Sequence, residues 1–211
     1  MVLVFGRRWR PYLGRKYPGT LDRGTDIYRV RPDVGVTILA GPGAPFAGMV
    51  VEELSAIGVA RFVIVGLAGS LQSRVRVGDI VLCERALRDE GTSFHYLAPG
   101  KFVRPSPELT RRLRTTIERA RVPFVAGTSW TIDAPYRETV EEIRRYRARG
   151  ILTVEMEASA VFTIARLRRR QAGAIFVISD HLDERGWEPR FHDCRRPLRK
   201  ALGLAVDSFG H

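Results

Sequence analysis

The feature that most constrains this chain is an alternation in which short β-branched apolar runs take turns with longer amphipathic segments. Val2–Phe5, Val36–Ala40, Phe62–Val65, Asp79–Cys83, Val122–Ala126, Ile151–Val154 and Ala174–Ile178 read as strands. Several are apolar at every position, which suits strands covered on both faces. Between them Phe46–Ile57, Pro107–Ala120, Tyr136–Arg149, Met156–Arg170 and Arg195–Ser208 carry helical spacing. Pro45 precedes the first helix where proline is tolerated, and Ser106 is available to cap the second. Strands alternating with helices imply an α/β sandwich around a largely parallel or mixed sheet. No repeat, low-complexity tract or linker interrupts the 211 residues, so residues 1–211 read as a single domain.

Several classes are argued against at once. The longest apolar run, Phe62–Ala68, falls far short of the ~20 residues a spanning helix requires. The opening MVLVF has neither the length nor the basic start of a secretory leader. Cys83 and Cys194 form no CxxC and have no clustered histidines, which argues against a disulfide framework or a structural zinc and points to a reducing, cytoplasmic setting. The formal net charge is +12, and 32 of the 35 basic residues are arginine. Such a field attracts anions, whether nucleic acid or phosphate-bearing ligands. However, the arginines are interleaved with acids, as in Glu141-Glu142-Ile143-Arg144-Arg145, which is the pattern of a solvated helix face. With no reader motif present, nucleic acid is not the expected partner.

In open α/β sheets ligands bind beyond the carboxyl ends of the strands. Five such loops here carry glycine or acid: Gly6, Gly41-Pro42-Gly43, Gly66–Ser70, Glu155-Met156-Glu157 and Ser179-Asp180-His181. Asp180 ends an apolar strand, where lost solvation favours a protonated carboxyl. Its alternative there is a helix cap or a loop-anchoring turn. Glu155 and Glu157 could likewise do no more than complement a helix N-terminus.

Five stretches in order, VEELSAIGVARFVIVGLAGSL, VGDIVLCERALRDEGTSFHYL, TIDAPYRETVEEI, GILTVEMEASAVF and VISDHLDE, resemble the nucleoside phosphorylase family of the purine-nucleoside and uridine phosphorylase type, which also includes related nucleosidases. The resemblance runs from Val2 to about Asp183. It implies a three-layer α/β/α sandwich with a mixed, partly barrel-like central sheet. It also implies cleavage of a nucleoside N-glycosidic bond with phosphate as co-substrate, without metal or organic cofactor, by a homo-oligomer (a dimer or a hexamer of dimers).

By the same resemblance Glu157 binds ribose hydroxyls, Met156 packs on the sugar, and Glu155 supports them or binds a hydroxyl. Asp180 protonates or hydrogen-bonds a purine base; the Gln/Arg pair that holds uracil in pyrimidine-cleaving relatives has no counterpart that we can locate, which favours a purine. Gly6, Arg10 and Gly69, with Arg23 lent by a neighbouring subunit, form the phosphate set. Phe94, Trp130 and Tyr136 are possible stacking partners for the base. The chemistry is coherent, since bond cleavage develops positive charge on the sugar and negative charge on the base, and carboxylates stabilise the former. The family usually places an arginine two residues before Gly66 and a hydroxyl just after it, where this chain has Ile64 and Leu67. A hydrolytic nucleosidase and a non-catalytic nucleoside- or anion-binding relative therefore remain as alternatives.

Overall fold

The computed structural model describes residues 1–22, 26–183 and 186–210. In chain order the elements are β1 (Val2–Phe5), α1 (Trp9–Lys16), β2 (Leu21–Asp22), β3 (Ile27–Arg31), β4 (Val34–Leu39), α2 (Ala44–Ala56), β5 (Arg61–Ser70), β6 (Ile80–Asp89), β7 (Phe102–Val103), α3 (Pro107–Arg119) and β8 (Val125–Ile132). They continue with α4 (Val140–Ala148), β9 (Thr153–Glu155), α5 (Ala158–Leu167), β10 (Gln171–Asp183), β11 (Gly186–Pro189) and α6 (Arg195–Asp207).

One mixed sheet runs β11-β10-β6-β8-β9-β5-β1-β4-β3-β2, and β10 also pairs with β5. That second pairing closes β10, β6, β8, β9 and β5 into a ring, the barrel-like part of the sheet. The alternation of strand side chains sorts the core into two layers. Val2, Val4, Val63, Val65, Ile175 and Val177 face α1, α3 and α6. Leu3, Phe62, Ile64, Ala174, Phe176 and Ile178 face α2 and α5. Helices on both faces make the three-layer α/β/α sandwich. Each such aliphatic side chain, fully buried, contributes about 1.5–3 kcal/mol. Among the described residues no helix is long and apolar enough to cross a membrane.

The differences from the sequence reading have local causes. Helix α4 begins at Val140, not Tyr136, because Thr139 and Glu142 form a reciprocal capping box; Pro135–Arg137 make a separate 3-10 turn. Helix α5 begins at Ala158, since the Glu155 carboxylate accepts the amides of Glu157 and Ala158 and so defines where the helix starts. The strand expected at Val122–Ala126 is displaced to Val125–Ile132. The side chain of Ser106 does not cap α3; its Oγ accepts the Ala172 amide at 3.0 Å and ties the helix to β10. Helix α1 and strands β2, β3, β7 and β11, at the periphery of the sheet, have no counterpart in the sequence reading.

Two irregularities in β10 shape the ligand-facing end of the sheet. Ile178 pairs with Ala68, but the next pair is Asp180 with Gly69, so Ser179 is the extra residue of a β-bulge. A bulge changes the parity of a strand and re-aims the side chains beyond it. Past the bulge β10 continues as an antiparallel hairpin with β11, pairing Asp180 with Pro189 and Leu182 with Trp187.

Candidate active site

Beyond the strand tips lies a cavity of about 690 Å³, within the usual range for small-molecule sites. Its wall is contributed by the end of β1, the loop after β4, the second half of β5, the β9–α5 junction, the β10–β11 hairpin and the segment leading into α4. Glu157 and Asp180, from different strand ends, both face it.

At the β9–α5 junction the two glutamates divide the work. Glu155 is buried, and its oxygens accept from Thr131 Oγ1 (2.6 Å), Ser129 Oγ (3.2 Å) and the amides of Glu157 (2.8 Å) and Ala158 (2.7 Å). Burial pushes its carboxyl up, while these bonds pull the other way. With its acceptor capacity occupied, Glu155 supports the junction and does not offer itself to a sugar; of the two roles expected for it, the structure favours support. Glu157 is also buried; one oxygen accepts the Gly43 amide at 2.7 Å, and the Met156 amide also favours its charged form. Burial and then the neighbouring Glu155 push its carboxyl up to about 8. Gly43 stands at φ +123°, a conformation rare for other residues, so the glycine of the loop after β4 places a donor on Glu157. Met156 lies between the glutamates and lines the cavity.

Asp180 is buried, 6% exposed. Oδ1 accepts from Ser179 Oγ at 2.5 Å and Oδ2 from Trp187 Nε1 at 2.8 Å. Beneath it lies Gly69, where a Cβ would come within 2.7 Å of Asp180 Oδ2 and 2.3 Å of Leu182 Cδ1. Gly69 therefore belongs with Asp180, not with the phosphate set in which it was expected. Its place follows from spacing, since it sits three residues beyond Gly66 on β5, roughly 10 Å along an extended strand.

The other end is built at Gly6. Gly6 has φ +87°, and its amide donates to Leu39 O at 2.8 Å, continuing the β1–β4 pairing. It offers an anion room but no free donor of its own. Among the described residues the cation at this end is Arg8, whose Nε lies 3.9 Å from the position of a Gly6 Cβ. Arg10 is not at the cavity. Burial of Trp9 and Leu13 against the sheet turns it outward, where it pairs with Asp26 at 3.0 Å. Arg23 lies outside the described residues. Ile64 is fully buried in the α2–α5 layer and Leu67 lines the cavity, so neither presents a polar group to an anion.

Of the three aromatics expected near the base, only Tyr136 reaches the cavity, at its rim and 93% exposed. Trp130 is fully buried in a separate cluster under α4, its ring against Tyr146 (4.7 Å) and its Nε1 donating to Asp89 at 2.8 Å. Phe94 sits on a 3-10 turn after β6, stacked under the Arg88 guanidinium at 4.3 Å and away from the lining. The other aromatics lining the cavity are Phe5, Trp187 and Phe191, the last two with ring centroids 5.9 Å apart.

Sequence reasoning missed Arg8, Glu138, Trp187 and Phe191. Glu138 lines the cavity, and burial, followed by the charges of Asp180 and Glu142, pushes its carboxyl up to about 7. The GW pair at Gly186–Trp187, six residues past Asp180, was the available signal for the hairpin. Among the described residues no cluster of three or more His, Cys, Asp or Glu is set up to hold a metal ion.

A three-layer sandwich that closes five strands into a ring and opens an acid-lined cavity at their tips is an α/β ligand-cleft protein. The family model described as the Phosphorylase superfamily matches residues 16–207, and the chain belongs to that family. Over 142 residues it is 34% identical to a guanosine phosphorylase of Halorubrum lacusprofundi, covering 67% of this chain and 59% of that one. Over 192 residues it is 27% identical to a uridine phosphorylase of Thermococcus kodakarensis, covering 83% of this chain and 63% of that one. The chain thus spans about three fifths of the length of these two relatives. The solved uridine phosphorylase of Vibrio fischeri superposes with a TM-score of 0.80 at 24% identity, over 98% of this chain and 90% of that one, a likeness of fold.

Proposed function

We propose that this chain cleaves the N-glycosidic bond of a purine nucleoside with phosphate as acceptor, releasing the free base and ribose 1-phosphate. The observation that carries this reading is the placing of Glu157 and Asp180 on one cavity of nucleoside size. Glu157, held by the Gly43 amide, accepts from ribose hydroxyls and stabilises the cationic sugar. Asp180, oriented by Trp187 and Ser179, hydrogen-bonds or protonates N7 of the base. The electrons of the breaking C1′–N9 bond pass into the purine, which takes up the proton, while a phosphate oxygen forms the new bond at C1′. Arg8 at the Gly6 end is the cation available to the phosphate.

Hydrolysis is the second reading, favoured by Ile64, buried in the α2–α5 layer, and Leu67, on the cavity wall, neither of which offers an anion a polar group. A panel of nucleosides incubated with and without phosphate, with chromatography of bases and sugars, separates the two. Phosphate-dependent release of ribose 1-phosphate supports phosphorolysis, phosphate-independent release of ribose supports a nucleosidase, and ligand binding without any product supports a non-catalytic relative. A homo-oligomer forms part of the proposal, and sedimentation or light scattering measures it.

A further inference from the structure

The base end of the cavity holds a carboxyl that the proposed mechanism does not use. Glu138 projects into the cavity from the turn that joins Pro135–Arg137 to α4. Unlike Glu155, whose oxygens are filled, and Asp180, which accepts from two donors, the Glu138 carboxyl takes no hydrogen bond or ion pair among the described residues. It is close enough to Asp180 for the two charges to be felt. A buried polar group without a partner costs roughly 1–3 kcal/mol, and a half-buried one bears part of that cost until a ligand supplies the partner.

Two neighbouring carboxyls at one end of a nucleoside cavity match two neighbouring heteroatoms on a base. A purine presents that pair as N7 and the substituent at position 6. We propose that Glu138 is a base-recognition residue that reads the 6-position of a purine whose N7 faces Asp180. The inference rests on the purine reading and adds to it the group that discriminates 6-amino from 6-oxo bases.

A carboxyl does this by its protonation state, donating to a 6-oxo oxygen when protonated and accepting from a 6-amino group when ionised. Among the described residues the charged groups around Glu138 are Asp180 on β10, Glu142 on α4 and, on the cavity wall, Asp183, Glu155 and Glu157, with Arg8 at the Gly6 end. Burial beside the first two keeps the carboxyl up at about 7. Both forms are therefore populated near neutrality, and the preference between the two kinds of base shifts with pH.

The test is the ratio of kcat/KM for adenosine to that for inosine at pH 6, 7 and 8, in the wild type, Glu138→Gln and Glu138→Ala. Because Glu157 meets the same ribose and Asp180 the same N7 in both substrates, their contributions cancel in the ratio. In the wild type the ratio is expected to rise by roughly tenfold from pH 6 to 8. Glu138→Gln, which carries a donor and an acceptor at every pH, is expected to flatten it. A flat wild-type ratio, or a Gln variant that keeps the wild-type slope, overturns the inference. If the alanine variant does not fold by circular dichroism, the wild type and the Gln variant still decide. Cleavage of both purine nucleosides at a flat ratio removes only the role of Glu138; cleavage of uridine alone removes the purine reading as well.

Discussion

The indole N–H of Trp187 donates to Oδ2 of Asp180 across 2.8 Å, joining the proposed base-side acid to a hairpin strand that follows it in sequence. The bond crosses the β10–β11 pairing and leaves the indole half in solvent, 52% exposed. Trp187→Phe keeps the ring but deletes the donor. A net bond of this kind is worth about 1 kcal/mol when part-exposed, so kcat/KM for purine nucleosides should fall by about five- to tenfold. Trp9 and Trp130 are buried away from the cavity, so quenching of tryptophan fluorescence by a free base should vanish in the same variant. Quenching that persists would place the base elsewhere.

In the proposed mechanism Glu157 links ribose binding to protons. Its carboxyl sits at about 8 in the free protein, and hydroxyl donors from a sugar favour the ionised form, lowering that value in the complex. Between the two values binding expels a proton, so affinity strengthens as pH rises and levels off above about 8. Calorimetry of nucleoside binding at pH 7 in buffers of different ionisation enthalpy should report release of a fraction of a proton. Glu157→Gln should abolish the release and lower kcat/KM by roughly 10²–10³.

Gly69 is required for shape. A methyl there meets Leu182 Cδ1 at 2.3 Å and Asp180 Oδ2 at 2.7 Å, with Val154 Cγ1 at 3.1 Å. Gly69→Ala should cost roughly 1–3 kcal/mol of stability through overpacking, and should reduce turnover by more than about tenfold because the displaced group is the proposed acid. Thermal melts and steady-state rates on one preparation test both; a variant with wild-type rates would show that Asp180 can move without consequence.

Arg8 and Arg10 stand two residues apart and should behave oppositely. Arg8 overlooks Gly6 in the cavity, whereas Arg10 is paired with Asp26 in solvent. Arg8→Ala should raise KM for phosphate by roughly tenfold or more, as loss of a charge-assisted contact does. Arg10→Ala should leave it within about twofold, because an exposed ion pair contributes at most about 1 kcal/mol. A phosphate titration of the two variants settles the order.

Folding stability should also depend on pH through Glu138 and Glu157. Both carboxyls are raised above their ordinary 4.5, to about 7 and about 8. Between 4.5 and those values the folded state binds more protons than the unfolded one, so these groups make stability fall as pH rises through that window. Urea midpoints should decline less steeply between pH 5 and 8 in the Glu138→Gln, Glu157→Gln double variant than in the wild type. The difference amounts to roughly 1–3 kcal/mol.

The architecture was legible because apolar runs at two periods announce strands and helices wherever burial is complete, as at Phe62–Val65 and Ala174–Ile178. The edges were not, since strands such as Ile27–Arg31 and Gly186–Pro189 are too short or too polar to carry the pattern. At the site, Glu157 and Asp180 were legible from motifs, and the motifs also pointed to the junction that Glu155 supports. Arg10 was expected from the resemblance, four residues past Gly6, and the burial of Trp9 that turns Arg10 outward is invisible until α1 docks. Trp130 read as a base platform because its residue type suits one. What decides between cavity and core is the parity of β8, which a displaced strand start conceals. Ser179 is the sharpest case, since a bulge leaves no trace in composition yet governs where Asp180 points.

The ring of β10, β6, β8, β9 and β5 has no free edge along which it could splay. The floor under the reacting groups is thereby held stiff, and traffic in and out must go over the top, past Tyr136 on one bank and Trp187 with Phe191 on the other. Mutations that change which molecules enter therefore belong on that rim and not in the staves.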